Sequence, residues 1–197
     1  MYKIFWLVFG LCACNNPSAK EQKIQAFAQE LPLALVSKKN LAVFMDKPSL
    51  PRIEQLSHYY HKLYQSWKNI PDKQGNDHFK IIKGSLSKDK MQGDCEDFSA
   101  SLLSIALALG FHSQLILANN THSGHVWLEV RISLTKPSSQ TLAILEKYFK
   151  DSVNYTQRND GYWLQFAPKG SLKHYQTSHS ITPKGEVTKH SQHAIIP

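Results

Sequence analysis

No long cluster of lysine and arginine occurs in the 197 residues, although the formal net charge is +8. A basic excess of that size suits anionic surfaces such as lipid head groups, polyanionic glycans or nucleic acid. The aromatic residues do not interleave with basic ones, as a base-stacking platform requires, so nucleic acid is not an expected partner. A soluble basic surface is the plainer reading. Histidine is plentiful but poorly spaced for metal: His58 and His61 stand three apart, and no third ligand accompanies them. There is no acidic loop of the calcium-chelating kind, no cofactor is implied, and there is no internal repeat. Three cysteines are too few for the disulfide framework of a small secreted domain. The hydrophobic fraction, 42%, is enough for one globular core, and the length suits one domain with tails.

The apolar run at the start, "MYKIFWLVFGLCAC", is too short to cross a bilayer as a mature helix. One lysine, a short apolar stretch and small residues at its end describe an export leader. Leu11-Cys12-Ala13-Cys14 resembles the bacterial lipoprotein box, in which the leader is cut before the last cysteine and that cysteine is acylated. The resemblance implies a leader over 1–13, lipid on Cys14, and a place in the bacterial envelope. Asn15, rather than Asp, then favours the outer membrane, facing the periplasm. Cys12 would leave with the leader and Cys14 would carry lipid, so Cys95 is left without a disulfide partner.

Residues 14–48 read as a polar tether, "CNNPSAK", followed by a helical segment over 21–37. In "KPSLPRIEQLSHYYHKLYQSWKN", Ser49 can cap a helix and Pro51 suits its first turn. Ile53, Leu56, Tyr60, Leu63 and Trp67 recur at helical spacing, most simply as core contacts. "FKIIKG" is a candidate short strand. Next comes an apolar helix opening at Asp94, with Phe98, Leu102, Ile105, Ala106 and Leu109 on one face and Gly110 as its stop. "SQLILAN", "GHVWLEVRIS" and "GYWLQFAP" read as strands, and "SSQTLAILEKYFKD" as an amphipathic helix between the last two. The tail, 169–197, is polar and rich in His and Lys, and reads as poorly ordered. This order of elements predicts an α+β fold with an antiparallel sheet.

Cys95 stands in the first turn of that apolar helix. Unpaired backbone N–H groups and the positive end of the helix dipole favour thiolate there, and could later hold an oxyanion. Glu96 and Asp97 act against this unless they point away or pair with cations. An imidazole is then needed to activate the thiol. His125, which opens "GHVWLEV", is the candidate; His122 lies in a polar loop. An inert buried thiol is the alternative.

"GDCEDFSASLLSIALALGF" followed by "GHVWLEV" resembles the core of the transglutaminase-like superfamily, which shares its fold and triad with papain-type cysteine peptidases. The matching residues are Gly93, Asp94, Cys95, Asp97, Gly110, His125, Trp127, Glu129 and Val130. The match is firm over 93–130 and weaker to 168, so a domain over 49–168 is implied. The resemblance implies a buried helix starting at the cysteine, packed on an antiparallel sheet. Cys95 would be the nucleophile and His125 its base, with Trp127 walling the site and Asp94 supporting the helix start. Glu129 reads as structural, pairing with a Lys or Arg, and Trp163 as a core contact.

One position departs from the family pattern. Where the third triad member would be an Asp, in "YWLQFAP", the sequence has Ala167. Gln165 shares its strand parity and is the candidate to orient His125. The implied activity is thiol-dependent amide hydrolysis or acyl transfer on a peptide or protein of the envelope. The alternative is a catalytically degenerate domain that binds a peptide or glycan.

Overall fold

The computed structural model describes residues 18–36, 41, 45, 50–70, 91–119, 124–149, 154–166 and 177–190. The leader with Cys14, Ser49, the candidate strand "FKIIKG", Ala167 and most of the remaining tail lie outside them.

The fold is α+β. Four helices among the described residues accompany a six-stranded antiparallel sheet. The helices are α1 (Ala19–Ala34), α2 (Arg52–Ser66), α3 (Cys95–Ala108) and α4 (Ser139–Phe149). The sheet strands are β3 (His112–Asn119), β4 (Gly124–Ser133), β5 (Asn154–Arg158), β6 (Gly161–Phe166), β7 (Thr177–Ile181) and β8 (Val187–His190), in the order β5-β6-β4-β3-β7-β8. Two short segments, β1 (Lys68–Asn69) and β2 (Gln92–Gly93), pair in parallel just ahead of α3.

α1 starts inside the segment that reads as a tether. Ser18 accepts the N–H of Glu21, and the Glu21 carboxylate accepts the N–H of Ser18, a reciprocal cap. Ala28, Leu31 and Ala34 are buried in the same core as α2 and α3, so α1 belongs to the domain. Pro51 is the N-cap of α2 rather than its first helical residue, and among the described residues no side chain caps that end. α3 closes as expected at Gly110, where φ is +76°. The Gly110 N–H bonds the Leu107 carbonyl and the Phe111 N–H bonds the Ala106 carbonyl, a Schellman closure. Arg52 donates to the Gly110 carbonyl at 2.9 Å and lies over the Phe111 ring. At the other end, Trp67 packs edge-on against Phe98. α2 and α3 therefore run antiparallel.

The helices cover one sheet face. Val126, Leu128 and Val130 of β4, Leu115 of β3, Leu164 and Phe166 of β6 and Ile181 of β7 join the helix residues in one core. Tyr60 sits at its centre against Phe98, Phe149 and Phe166. Burial of each such side chain contributes about 1.5–3 kcal/mol. The alternate residues of β4 face the other way, where Trp127 packs with Ile116 and Ala118.

Two parts of the sheet differ from the sequence reading. β5 pairs with β6 across a tight turn at Asn159 and Asp160, and "NYTQR" was too polar to stand out as a strand. The tail is not uniformly irregular: β7 and β8 form a hairpin that extends the sheet beyond β3. Ser178, His179 and Ser180 are buried there despite their polarity. Their main chain is held by β3, and backbone pairing needs no apolar side chains.

Candidate functional site

α3 begins at Cys95, with Asp94 as the N-cap, so Cys95 is the first helical residue, as the sequence implies. The approach to it is clamped. Lys68 N–H bonds the Met91 carbonyl, and Ile70 N–H bonds the Gly93 carbonyl, both at 2.8 Å. Trp67 Nε1 donates to the same Gly93 carbonyl at 3.2 Å. Asp97 folds back over Gly93: a Cβ added there would lie 2.3 Å from Asp97 Oδ2. Glycine is needed at that position because a carboxylate occupies the space of a side chain.

Asp94 supports the helix start by position only. Its carboxyl makes no capping bond to the helix and instead engages the Glu96 carboxyl. Glu96 does not point away from the thiol. Cys95 Sγ donates to Glu96 Oε2 at 3.2 Å. Burial, then the hydrogen bond and charge of Asp94, raise the Glu96 carboxyl to about 8. Burial first, and the Glu96 charge second, push the Cys95 thiol well above its usual range. The expectation that the helix start yields thiolate is therefore corrected. The thiol rests neutral, because desolvation and two adjacent carboxyls outweigh the dipole.

A hydrogen bond from the Val126 backbone works the other way, favouring thiolate. Val126 also accepts Ser99 Oγ on its carbonyl at 3.1 Å. The β4–β6 ladder, among the described residues, stops at the pair Leu128 and Phe166. Val126 is the next position whose main chain faces that side. Cys95 and Ser99, one turn apart on α3, thus meet the edge of β4 where a strand partner would otherwise sit.

His125 immediately precedes Val126, so the fold brings the start of α3 to the chain position of the candidate base. Its ring tilts against Trp127, with centroids 6.2 Å apart, on the sheet face away from α3. Burial lowers the His125 pKa, so the imidazole is neutral at neutral pH. Trp127 is fully buried, a wall beside His125 rather than a surface that a ligand meets.

Gln165 is not the partner of His125. It pairs with Glu129, four residues along β4 from His125, about 13 Å at strand spacing. Its Nε2 donates to Glu129 Oε1 at 3.0 Å. Parity put Gln165 on the right face, but parity carries no information on register. Glu129 is structural, as its sequence setting suggests. Fully buried, it accepts from Gln165, from Gln114 at 3.1 Å and from Arg158 at 2.6 Å. Trp163 is a buried contact whose Nε1 donates to Asp160. Ser99 was not singled out in the sequence. The i, i+4 spacing from Cys95 was the available signal. Among the described residues, no group of three or more His, Cys, Asp and Glu could hold a metal, and no helix is long and apolar enough to cross a membrane.

No family model matches this sequence, and neither the curated proteins nor the solved structures provide a match.

Proposed function

We propose that this chain is a lipid-anchored envelope protein whose transglutaminase-like domain performs thiol-dependent amide chemistry, with Cys95 as nucleophile and His125 as base. The observation that carries this reading is the docking of the Cys95 turn on the main chain of Val126, the neighbour of His125. In the reaction, Cys95 Sγ attacks the amide carbonyl as its proton passes to the His125 imidazole. The backbone N–H groups at the start of α3 receive the developing oxyanion. Collapse expels the amine, which takes the proton from His125, and leaves a thioester. Water then gives hydrolysis and a second amine gives transfer. The substrate class is a peptide or protein of the envelope. The neutral thiol and neutral imidazole fit proton transfer during attack rather than a standing ion pair.

The test is the rate of Cys95 alkylation by iodoacetamide against pH, in wild type and His125→Ala. A drop on the order of tenfold in the variant between pH 7 and 8 is expected, a modest part of what general-base assistance can supply. Equal rates in both proteins defeat the reading. A second reading, a domain that binds a peptide or glycan without chemistry, is favoured by the Cys95–Glu96 bond and by the commitment of Gln165 to Glu129. Under that reading both proteins alkylate more slowly than a free thiol across the whole range.

A further inference from the structure

We infer that Ser99 is a positioning residue of this site, holding the first turn of α3 on the edge of β4 so that Cys95 stays against the main chain of Val126, the residue next to His125. The inference rests on the reading of those two residues as a reacting pair.

The sheet itself creates the need. Among the described residues, β6 pairs with β4 as far as Leu128, and the main-chain groups of Val126 are met by α3 instead. The Val126 carbonyl is taken by Ser99 Oγ, and a backbone bond of Val126 reaches the Cys95 thiol. Ser99 is fully buried, and so are Ser101 and Ser104 further along the helix. Those two hydroxyls bond carbonyls of their own helix, at Asp97 and Ala100. Ser99 is the one of the three whose hydroxyl crosses to the sheet. A helix held to a sheet by apolar packing alone can slide by fractions of an ångström. A directional bond one turn from Cys95, made to the residue next to His125, fixes that sliding coordinate.

The structural role and the positioning role separate experimentally. Ser99→Ala leaves the Val126 carbonyl buried without its donor, a cost of about 1–3 kcal/mol to stability whatever the site does. Positioning has a further signature. In wild type, carbamidomethylation of Cys95 should move the ring-proton NMR signals of His125, because the Cys95 turn docks on the main chain of Val126, the residue next to His125. In folded Ser99→Ala that response should shrink by half or more, and in Ser99→Thr, which keeps the hydroxyl, it should return. The alkylation cycle with His125→Ala should be non-additive, with Ser99→Ala costing several-fold in rate when His125 is present and little when it is absent.

An undiminished NMR response in folded Ser99→Ala overturns the inference. Should Ser99→Ala not fold, Ser99→Thr decides: a response of wild-type size supports positioning, and its loss with the hydroxyl retained overturns it. If His125→Ala alone leaves alkylation unchanged, the proposed chemistry falls, and the NMR response still decides the role of Ser99.

Discussion

A carboxyl that stays protonated at neutral pH changes how the neighbouring thiol responds to base. Glu96 is raised to about 8, with burial as the main cause and Asp94 next. As pH climbs through that value, Glu96 gains charge beside Cys95 and holds its proton more firmly. Wild-type alkylation should therefore rise less steeply with pH than that of a free thiol. Glu96→Gln should steepen it, with a gain of about threefold or more at pH 9, roughly half a pKa unit of thiol relief. Stability follows the same group. The folded protein holds a proton on Glu96 that the unfolded chain releases near the ordinary value of 4.5, so this contribution is complete below that pH and is lost as pH rises toward 8. Melting curves at pH 5 and 8 should differ less in Glu96→Gln than in wild type. Identical differences refute the assignment. Glu129 gives the opposite signature. Glu129→Lys removes a buried anion from half-buried Arg158 and two amides, and should cost about 3–5 kcal/mol in denaturant unfolding. Cys95 in the fraction that folds should react as before. Loss of reactivity at unchanged stability would contradict a structural Glu129.

Among the elements, α3 depends most on one small residue outside it. Gly93→Ala would place a methyl on the Asp97 carboxylate, and relief requires moving either Asp97 or the strand clamp at Lys68–Asn69. Either motion displaces Cys95. We expect a loss of about 1–3 kcal/mol, in the range of overpacked core sites, with a changed alkylation rate. Unaltered stability and rate would show that the clamp does not hold the helix start. Much of this element was legible in sequence. Apolar spacing, Gly110 and the position of Cys95 all follow from helical period and chain sterics, which are local. The alternation in "GHVWLEVRIS" likewise marked β4. Register was not legible, because it is decided between strands, and that is why Gln165 was assigned to His125. The capping pair at Ser18 and Glu21 was present in sequence as Ser-Ala-Lys-Glu, but a polar segment hides a cap well. β5, β7 and β8 escaped notice because their stabilisation comes from main-chain pairing.

For the whole molecule, the β7–β8 hairpin closes the side of the sheet that β3 would otherwise leave open. Ile181 is fully buried against Leu115, its partner in the ladder. A chain ending at residue 176 should therefore expose the β3 edge and part of the core, and should be recovered as aggregate or unfolded polypeptide. Recovery of a soluble, cooperatively melting protein from that truncation would show that the hairpin is dispensable. The proposed anchor is testable in the same preparation. Mass spectrometry of the mature protein from a bacterial envelope should find an acylated Cys14 as the first residue, and an unmodified start or an intact Met1 rejects the anchor.

The turn of that hairpin also touches the opposite end of the chain. At Gly185 an added Cβ would lie 2.5 Å from the Ala28 carbonyl of α1, and φ there is +83°, so only glycine fits the turn without strain. The first helix among the described residues is thus completed by a hairpin about 150 residues later in the sequence. A ribosome releases the chain from its N-terminus, so α1 can meet α2 and α3 early, while its surface around Ala28 is covered only once the hairpin has emerged. The last contact of α1 is therefore made after the rest of its packing, and the sheet edge at β3 stays open until then.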